Sequence, residues 1–217
     1  FLLLQAKGDV LPGCHVRKQR VGLEHHVGRT LVGRNTSHVL VIESDGTVEA
    51  WGSNEYGQLG DGGIVDRSFP VLALTGVRAA VGGSAHSLAV KTDGSLWSWG
   101  DGGAGQLGDG LRTSRAAPAP VLTGVQSAAA GQSFSMAIKT DGSLWAWGAN
   151  GSGQFGDGTT TSQATPVQVM SNVRAVAGGY AYTLFLKSDG TLLSAGDNNY
   201  GQLGDGGKTA RAAPVQI

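Results

Sequence analysis

Asp-Gly recurs at Asp45-Gly46, Asp93-Gly94, Asp141-Gly142 and Asp189-Gly190, a step of 48 residues each time. A fixed period of this length marks a chain of stacked supersecondary units rather than one irregular core. The same step joins Trp51, Trp99 and Trp147, with Ala195 in the fourth place. It joins Gln58, Gln106, Gln154 and Gln202, then Asp61, Asp109, Asp157 and Asp205, then Pro70, Pro118, Pro166 and Pro214. No insertion disturbs the register. The copies fall at 26–73, 74–121, 122–169 and 170–217, which leaves residues 1–25 as an unassigned leader.

Each copy reads as β. In the second, Ser87-Leu88-Ala89-Val90-Lys91 alternates, with Leu88 and Val90 on one face and Lys91 on the other, the period of a strand. Asp93-Gly94 follows, and Leu96-Trp97-Ser98-Trp99 returns as the partner strand. Asp-Gly predicts a two-residue type I′ hairpin turn, with positive φ at both central residues. On the return strand Val48, Leu96, Leu144 and Leu192 form an apolar column. The next column on that face, Ala50, Ser98, Ala146 and Ser194, is small and lets neighbouring sheets approach. A glycine-rich loop, an extended stretch through the proline and a further short strand complete about four strands per copy. No helical periodicity is present. Four strands per ~50-residue repeat is the blade of a β-propeller, in which stacked blades share a core that one blade cannot bury alone.

The blocks Asp93 to Gly100, Gly105-Gln106-Leu107-Gly108 and Gly83 to Val90 resemble the signature of the regulator of chromosome condensation repeats. The third copy matches at Asp141 to Gly148 and Gly153-Gln154-Phe155-Gly156. The fourth matches at Asp189-Gly190 and Gly201-Gln202-Leu203-Gly204, with Ala195 for the tryptophan. The pattern is similar to a bacterial-type, alpha-tubulin-suppressor-like member. The resemblance implies an all-β propeller of seven blades, of which this chain would supply four as a fragment; a closed four-bladed ring is the alternative. Kelch repeats lack the Gly-Gln-Leu-Gly block, WD repeats put Asp after the tryptophan where Trp99 is followed by Gly, and the sialidase box separates its Asp and Gly where Asp93 directly precedes Gly94.

Composition narrows the function classes. Lys+Arg and Asp+Glu both count 16, so the basic excess of a nucleic-acid or anionic-membrane binder is missing. No apolar run approaches the ~20 residues of a membrane span, so no membrane insertion is expected. The lone Cys14 allows no internal disulfide and leaves the compartment open. An extracellular or cell-surface setting is favoured over a cytoplasmic one. The first residue is Phe rather than Met, which fits a fragment or a processed product.

A column repeated in every blade serves the fold, since one binding site needs no copy per blade. On that basis Gln58, Gln106, Gln154 and Gln202 satisfy loop backbone groups. Asp45, Asp93, Asp141 and Asp189 sit in the hairpin turns, and Trp51, Trp99 and Trp147 pack. Asp61, Asp109, Asp157 and Asp205 shape turns through local bonds. His38 and His86 share a column with Phe134 and Tyr182, an interchange that favours a packed ring over a ligand or base. His15, His25 and His26 form no metal motif. No nucleophile elbow, zinc helix or phosphate loop is present. The expectation is no catalytic residue, no metal and no cofactor.

Binding is expected in the variable stretches. One precedes Gly-Gln and contains Glu55, Tyr56 and Tyr200. The other follows Gly-Asp-Gly and contains Arg112 and the column Arg67, Arg115 and Arg211, with Gln163 in the third copy. Tyr and Arg are the commonest interface anchors. The leading expectation is a non-catalytic scaffold that presents one rim of loops to a protein or glycan, alongside further blades of the same chain. A guanine-nucleotide exchange factor for a small GTPase, as the family's founding member implies, is the alternative. A secreted propeller lyase or glycosidase is the third reading and would need paired carboxylates on one rim.

Overall fold

The computed structural model describes residues 37–217 and the backbone of 30–32; the leader, with Cys14, His15, His25 and His26, lies outside the described residues. The described chain forms four antiparallel sheets of four strands. The first sheet holds β1 (Thr30–Val32), β2 (His38–Ile42), β3 (Val48–Gly52) and β4 (Arg67–Leu74). The second holds β5 (Val77–Gly82), β6 (His86–Lys91), β7 (Leu96–Gly100) and β8 (Arg115–Leu122). The third holds β9 (Val125–Ala130), β10 (Phe134–Lys139), β11 (Leu144–Gly148) and β12 (Gln163–Met170). The fourth holds β13 (Val173–Gly178), β14 (Tyr182–Lys187), β15 (Leu192–Gly196) and β16 (Arg211–Gln216). Sheets run one residue past the repeat edges, to Leu74, Leu122 and Met170. This is the propeller architecture expected from the period.

The first strands pack in series, β1 on β5, β5 on β9 and β9 on β13, so they lie nearest the common axis. Their small residues, such as Ala128, Ala129 and Ala130, permit that approach. The fourth strands are the outer edges. Each contains the repeated proline, which has no N–H to offer an incoming strand and blunts the edge.

The apolar core lies between sheets rather than within one. Leu59 of the first sheet's loop packs with Ala89 and Trp99 of the second. Leu88, Val90 and Leu96 of the second sheet pack with Ala137 and Trp147 of the third. Phe134, Met136 and Phe155 of the third pack with Phe185 and Ala195 of the fourth. There are thus three seams, each closed by side chains from both neighbours.

The hairpin turns differ from the type I′ expectation. Gly94 lies at φ +79°, but Asp93 does not have a positive φ; Asn172 is the one non-glycine residue that does among the described residues. Gly94 N–H donates to Lys91 O at 3.0 Å, and Lys91 N–H donates to Ser95 O at 2.8 Å. That is a three-residue loop, Thr92-Asp93-Gly94, in which a type I turn ends in a left-handed glycine and a bulge. Asp93 keeps negative φ because its carboxylate accepts from Ser95 N–H at 2.8 Å, a bond a type I turn makes available. Asp45, Asp141 and Asp189 make the same bond to Thr47, Ser143 and Thr191.

Strand alternation sorts the connections onto two faces. The turns after β5, β9 and β13 and the long loops after β3, β7, β11 and β15 share one face. Asp101 N–H, opening a long loop, donates to Ala85 O in the turn after β5 at 2.8 Å. The Asp-Gly hairpins and the links between sheets share the other face, where Val125 N–H donates to Gly94 O at 2.9 Å.

Candidate functional site

Both variable stretches lie in the long loops. Glu55, Tyr56, Arg67, Arg112, Arg115, Tyr200 and Arg211 therefore belong to one face. Their states differ. Tyr200 is 89% exposed and Tyr56 42% exposed, and Glu55 is exposed. The three arginines are tied to their own blades. Arg67 pairs with Asp61 at 2.7 Å, Arg115 with Asp109 at 3.3 Å and Arg211 with Asp205 at 2.9 Å. Arg112 donates to Ala104 O at 3.0 Å. Each arginine of the column fastens the end of its loop to the start of the outer strand.

The loop glutamines fold their carboxamides inward. Gln58 Oε1 accepts from Tyr56 N–H at 3.0 Å, Gln106 from Ala104 at 2.8 Å, Gln154 from Ser152 at 3.0 Å and Gln202 from Tyr200 at 2.9 Å. Their main chains do more. The Gln58 carbonyl accepts from Trp99 Nε1–H and Ser87 Oγ–H of the next sheet, both at 2.9 Å. The Gln106 carbonyl accepts from Trp147 at 2.9 Å and Ser135 at 2.8 Å. Gly57 lies so close to the second sheet's outer strand that a Cβ there would meet Ala116 Cα at 2.4 Å. The Gly-Gln block is a latch across the seam. Trp99 and Trp147 are fully buried in it, while Trp51 is half-buried.

Sequence reading missed one structural column inside the first variable stretch. Asn54, Asn150 and Asn198 are fully buried. Asn54 Oδ1 accepts from Leu59 N–H at 3.0 Å, and its Nδ2 donates to Gly63 O and Val65 O, both at 3.1 Å. The signal was present as the 48-residue step, broken by Gly102 in the second copy.

The aspartates of the long loops accept hydrogen bonds. Burial pushes Asp61 upward, but bonds from Arg67, Gly63 and Asn54 outweigh it and hold its pKa below the usual carboxylate range. Asp205 is held low by Gly207, Arg211 and Asn198. Asp101 and Asp197 each accept from the neighbouring loop glutamine at 2.7 Å. Neither Asp61 nor Asp205 has the raised pKa of a general acid. Among the described residues no cluster of three or more His, Cys, Asp or Glu is placed to hold a metal ion.

At the axis the same face opens into a basin of about 690 Å³. Its walls are the turns Gly82-Gly83-Ser84, Ala130-Gly131-Gln132 and Gly178-Gly179-Tyr180, with Tyr182. The turns are chained by backbone bonds: Ser84 N–H donates to Gln132 O at 3.3 Å and Gln132 N–H to Tyr180 O at 3.2 Å. Gly83, Gly131 and Gly179 N–H donate within their own turns. These donors are spent and no lining side chain is charged, so the basin is no anion cradle. It offers hydroxyls, a carboxamide, bare glycine surface and Tyr180, which is 69% exposed.

His86 stands behind the basin, against Gly83, and His38 holds the equivalent position in the first sheet. His38 Nε2 lies 2.9 Å from Ser87 Oγ, and His86 Nε2 lies 2.9 Å from Ser135 Oγ. Each serine spends its hydrogen on the glutamine carbonyl, so the histidine Nε2–H is the donor. Burial lowers both imidazole pKa values to about 4.

A family model for the RCC1-like domain matches residues 9–217, reaching into the leader where no copy is legible. A comparison with curated proteins finds no match. Among solved structures, human WBSCR16 is 27% identical, with 83% of this chain and 50% of that chain covered and a TM-score of 0.72. Prp20p from Saccharomyces cerevisiae, described with its binding to Gsp1p and histones, is 23% identical over 87% of this chain and 50% of that one, TM-score 0.74. The same yeast protein bound to Kap60 gives 22% identity, 87% and 48% coverage, TM-score 0.74. The chain spans about half the length of these relatives. With the match over 9–217 and the repeat geometry in agreement, the chain belongs to the RCC1-like domain family.

Proposed function

We propose that this chain is a non-catalytic scaffold that takes a protein partner on the face formed by the Gly-Gln loops and the axial basin. The observation that carries the reading is a division of labour on that face. The repeated Gln, Asn, Asp and Arg side chains bond inward, whereas Tyr180, which lines a ready-made cavity, and Tyr200, in the last long loop of the same face, stand exposed where the copies differ. Exposed tyrosines on a face that also holds a basin suit protein docking, in which aromatic anchors dominate the energy. The solved yeast relative, described as binding proteins, supports the same class of partner.

The test is affinity capture with the chain, with a Tyr180→Ala/Tyr200→Ala variant and with Arg174→Ala on the opposite side. A partner lost with the tyrosine pair and kept by Arg174→Ala supports the face. A partner kept by both variants rejects it. The exchange-factor alternative makes a separate forecast: faster release of labelled guanine nucleotide from a small GTPase in a purified panel. Acceleration of any member would displace the plain scaffold reading.

A further inference from the structure

We infer that His38 and His86 make the first two seams acid-labile latches, so that mild acidification loosens the axial basin while the third seam holds. The claim about binding rests on the docking face proposed above; the claim about the seams does not.

The latch is a short relay. His86 Nε2–H donates to Ser135 Oγ, Ser135 donates to Gln106 O, and Trp147 donates to the same carbonyl. His38, Ser87, Gln58 and Trp99 repeat it one blade earlier. The relay fixes the neutral tautomer, with the proton on Nε2. Protonation adds a donor at Nδ1. At His86 that atom is buried and has no hydrogen-bond partner. The charged groups that bear on His86 are His38, which opposes its protonation, and Asp101, which favours it more weakly than burial opposes it. Ser135 and Gln106, which complete the relay, are neutral. Between about pH 4 and 6.5 the charged ring is therefore favoured only once the seam has opened.

Opening reaches the basin through Gly83. A Cβ on Gly83 would lie 2.1 Å from His86 Cε1, so ring and turn are in direct contact, and Gly83 lines the cavity. The third seam is a built-in control. Phe134 and Thr183 replace the histidine and serine there, and neither titrates.

The sign follows from linkage. An opened seam exposes a histidine of ordinary pKa 6.5, against about 4 when closed. Closure is fully favoured above about 6.5 and weakens as pH falls toward 4. At about pH 5 each histidine raises the open fraction about 30-fold.

Amide exchange by NMR on the whole chain, near pH 7.5 and near pH 5 and corrected for intrinsic rates, reads this seam by seam. Gly62, Gly110 and Gly158 N–H donate across the three seams to Ala116, Ala164 and Ala212 O at 3.1, 2.9 and 3.0 Å. Protection at Gly62 and Gly110 should fall at least ~10-fold more than at Gly158, and His38→Phe/His86→Phe should abolish the difference. An equal response at all three amides, or a response surviving in the double variant, overturns the inference. If that variant does not fold, titration of the imidazole Cε1 protons decides: values below about 5 support the latch, and values near the ordinary 6.5 overturn it. If the amides behave as expected but Tyr180→Ala/Tyr200→Ala leaves partner capture intact, the latch stands and the docking face falls.

Discussion

Where the second sheet meets the first, and the third meets the second, an indole and a hydroxyl converge on one main-chain carbonyl. Where the fourth meets the third, the same positions hold Ala195 and Thr183, and the Thr183 hydroxyl is buried without a hydrogen-bond partner. Yet the third seam is as buried as the others, with Phe134, Phe155, Phe185 and Ala195 fully covered. Phe185 stands where its predecessors have Ala89 and Ala137, and Phe155 where they have Leu59 and Leu107. The ring of Phe185 reaches the place the indole leaves. A Cβ on Gly156 would meet its Cζ at 3.0 Å, as one on Gly60 would meet Trp99 Nε1 and one on Gly108 would meet Trp147 Nε1, both at 2.8 Å. The aromatic has moved from the third strand of its blade to the second without leaving the seam. A seam needs its volume filled; the hydrogen bonds add direction and pH sensitivity to a closure that packing already supports.

The largest break should come from emptying a polar seam. Trp147→Ala removes a fully buried indole and should cost about 3–5 kcal/mol in denaturant melts. Trp51→Ala, at a half-buried position, should cost clearly less. Equal losses would mean that the indoles act within their blades rather than between them.

Next comes the transplanted aromatic. Phe185→Ala should cost about 3–5 kcal/mol, and Ala195→Trp alone about 1–3 through overpacking. Combined, they rebuild the arrangement of the first two seams and should recover at least ~1 kcal/mol relative to the sum, a coupling that residues in contact show. Strict additivity would show that Phe185 and residue 195 do not share one cavity.

How much of this is readable in the sequence depends on whether a feature is local or crosses a seam. The 48-residue step, the alternation around Leu88 and the paired columns at Leu96 and Ser98 give the sheets, because period and polarity are properties of one strand. Ala195 also shows as an exception. Its partner Phe185 does not, since nothing in one sequence says that residues ten apart in the fourth copy share a cavity. The Asp-Gly turn misled for a different reason. Asp-Gly serves both a two-residue I′ loop and the last two places of a three-residue bulged loop. The bond from Ser95 N–H to the Asp93 carboxylate favours the second, and it lies outside the dipeptide itself. The axial basin was hidden because its turns contribute one variable residue each, Ser84, Gln132 and Tyr180, and only the axis brings them together.

The hydroxyl column separates the seams more finely. Ser135→Ala deprives His86 Nε2–H of its acceptor inside a fully buried seam and should cost about 1–3 kcal/mol. Thr183→Val removes a hydroxyl that is buried and unsatisfied, so the melt should stay unchanged or rise by about 1 kcal/mol. A clear loss from Thr183→Val would mean that its hydroxyl finds a partner in solution, and the third seam would then be polar after all.

Among the substitutions expected to lose stability, the arginines should lose least, and they bear on the same contrast between blades. The third blade already lacks the pair: Gln163 replaces arginine, and Asp157 accepts instead from Thr159 N–H and Oγ1–H, both at 2.9 Å. Its loop nevertheless latches, with Gly158 N–H on Ala212 O at 3.0 Å. The Asp–Arg pair is therefore an accessory to the loop rather than its foundation. Side chains of Arg67, Arg115 and Arg211 are 36, 29 and 45% exposed, and ion pairs this open to water contribute about 0–1 kcal/mol. Arg115→Gln, which copies the third blade, should lower stability by no more than ~0.5 kcal/mol, with a difference that shrinks in salt. A loss above ~2 kcal/mol would show that Asp109 depends on its arginine in a way Asp157 does not. The third loop would then owe its shape to the Thr159 contacts rather than to the Gly-Gln latch common to every blade.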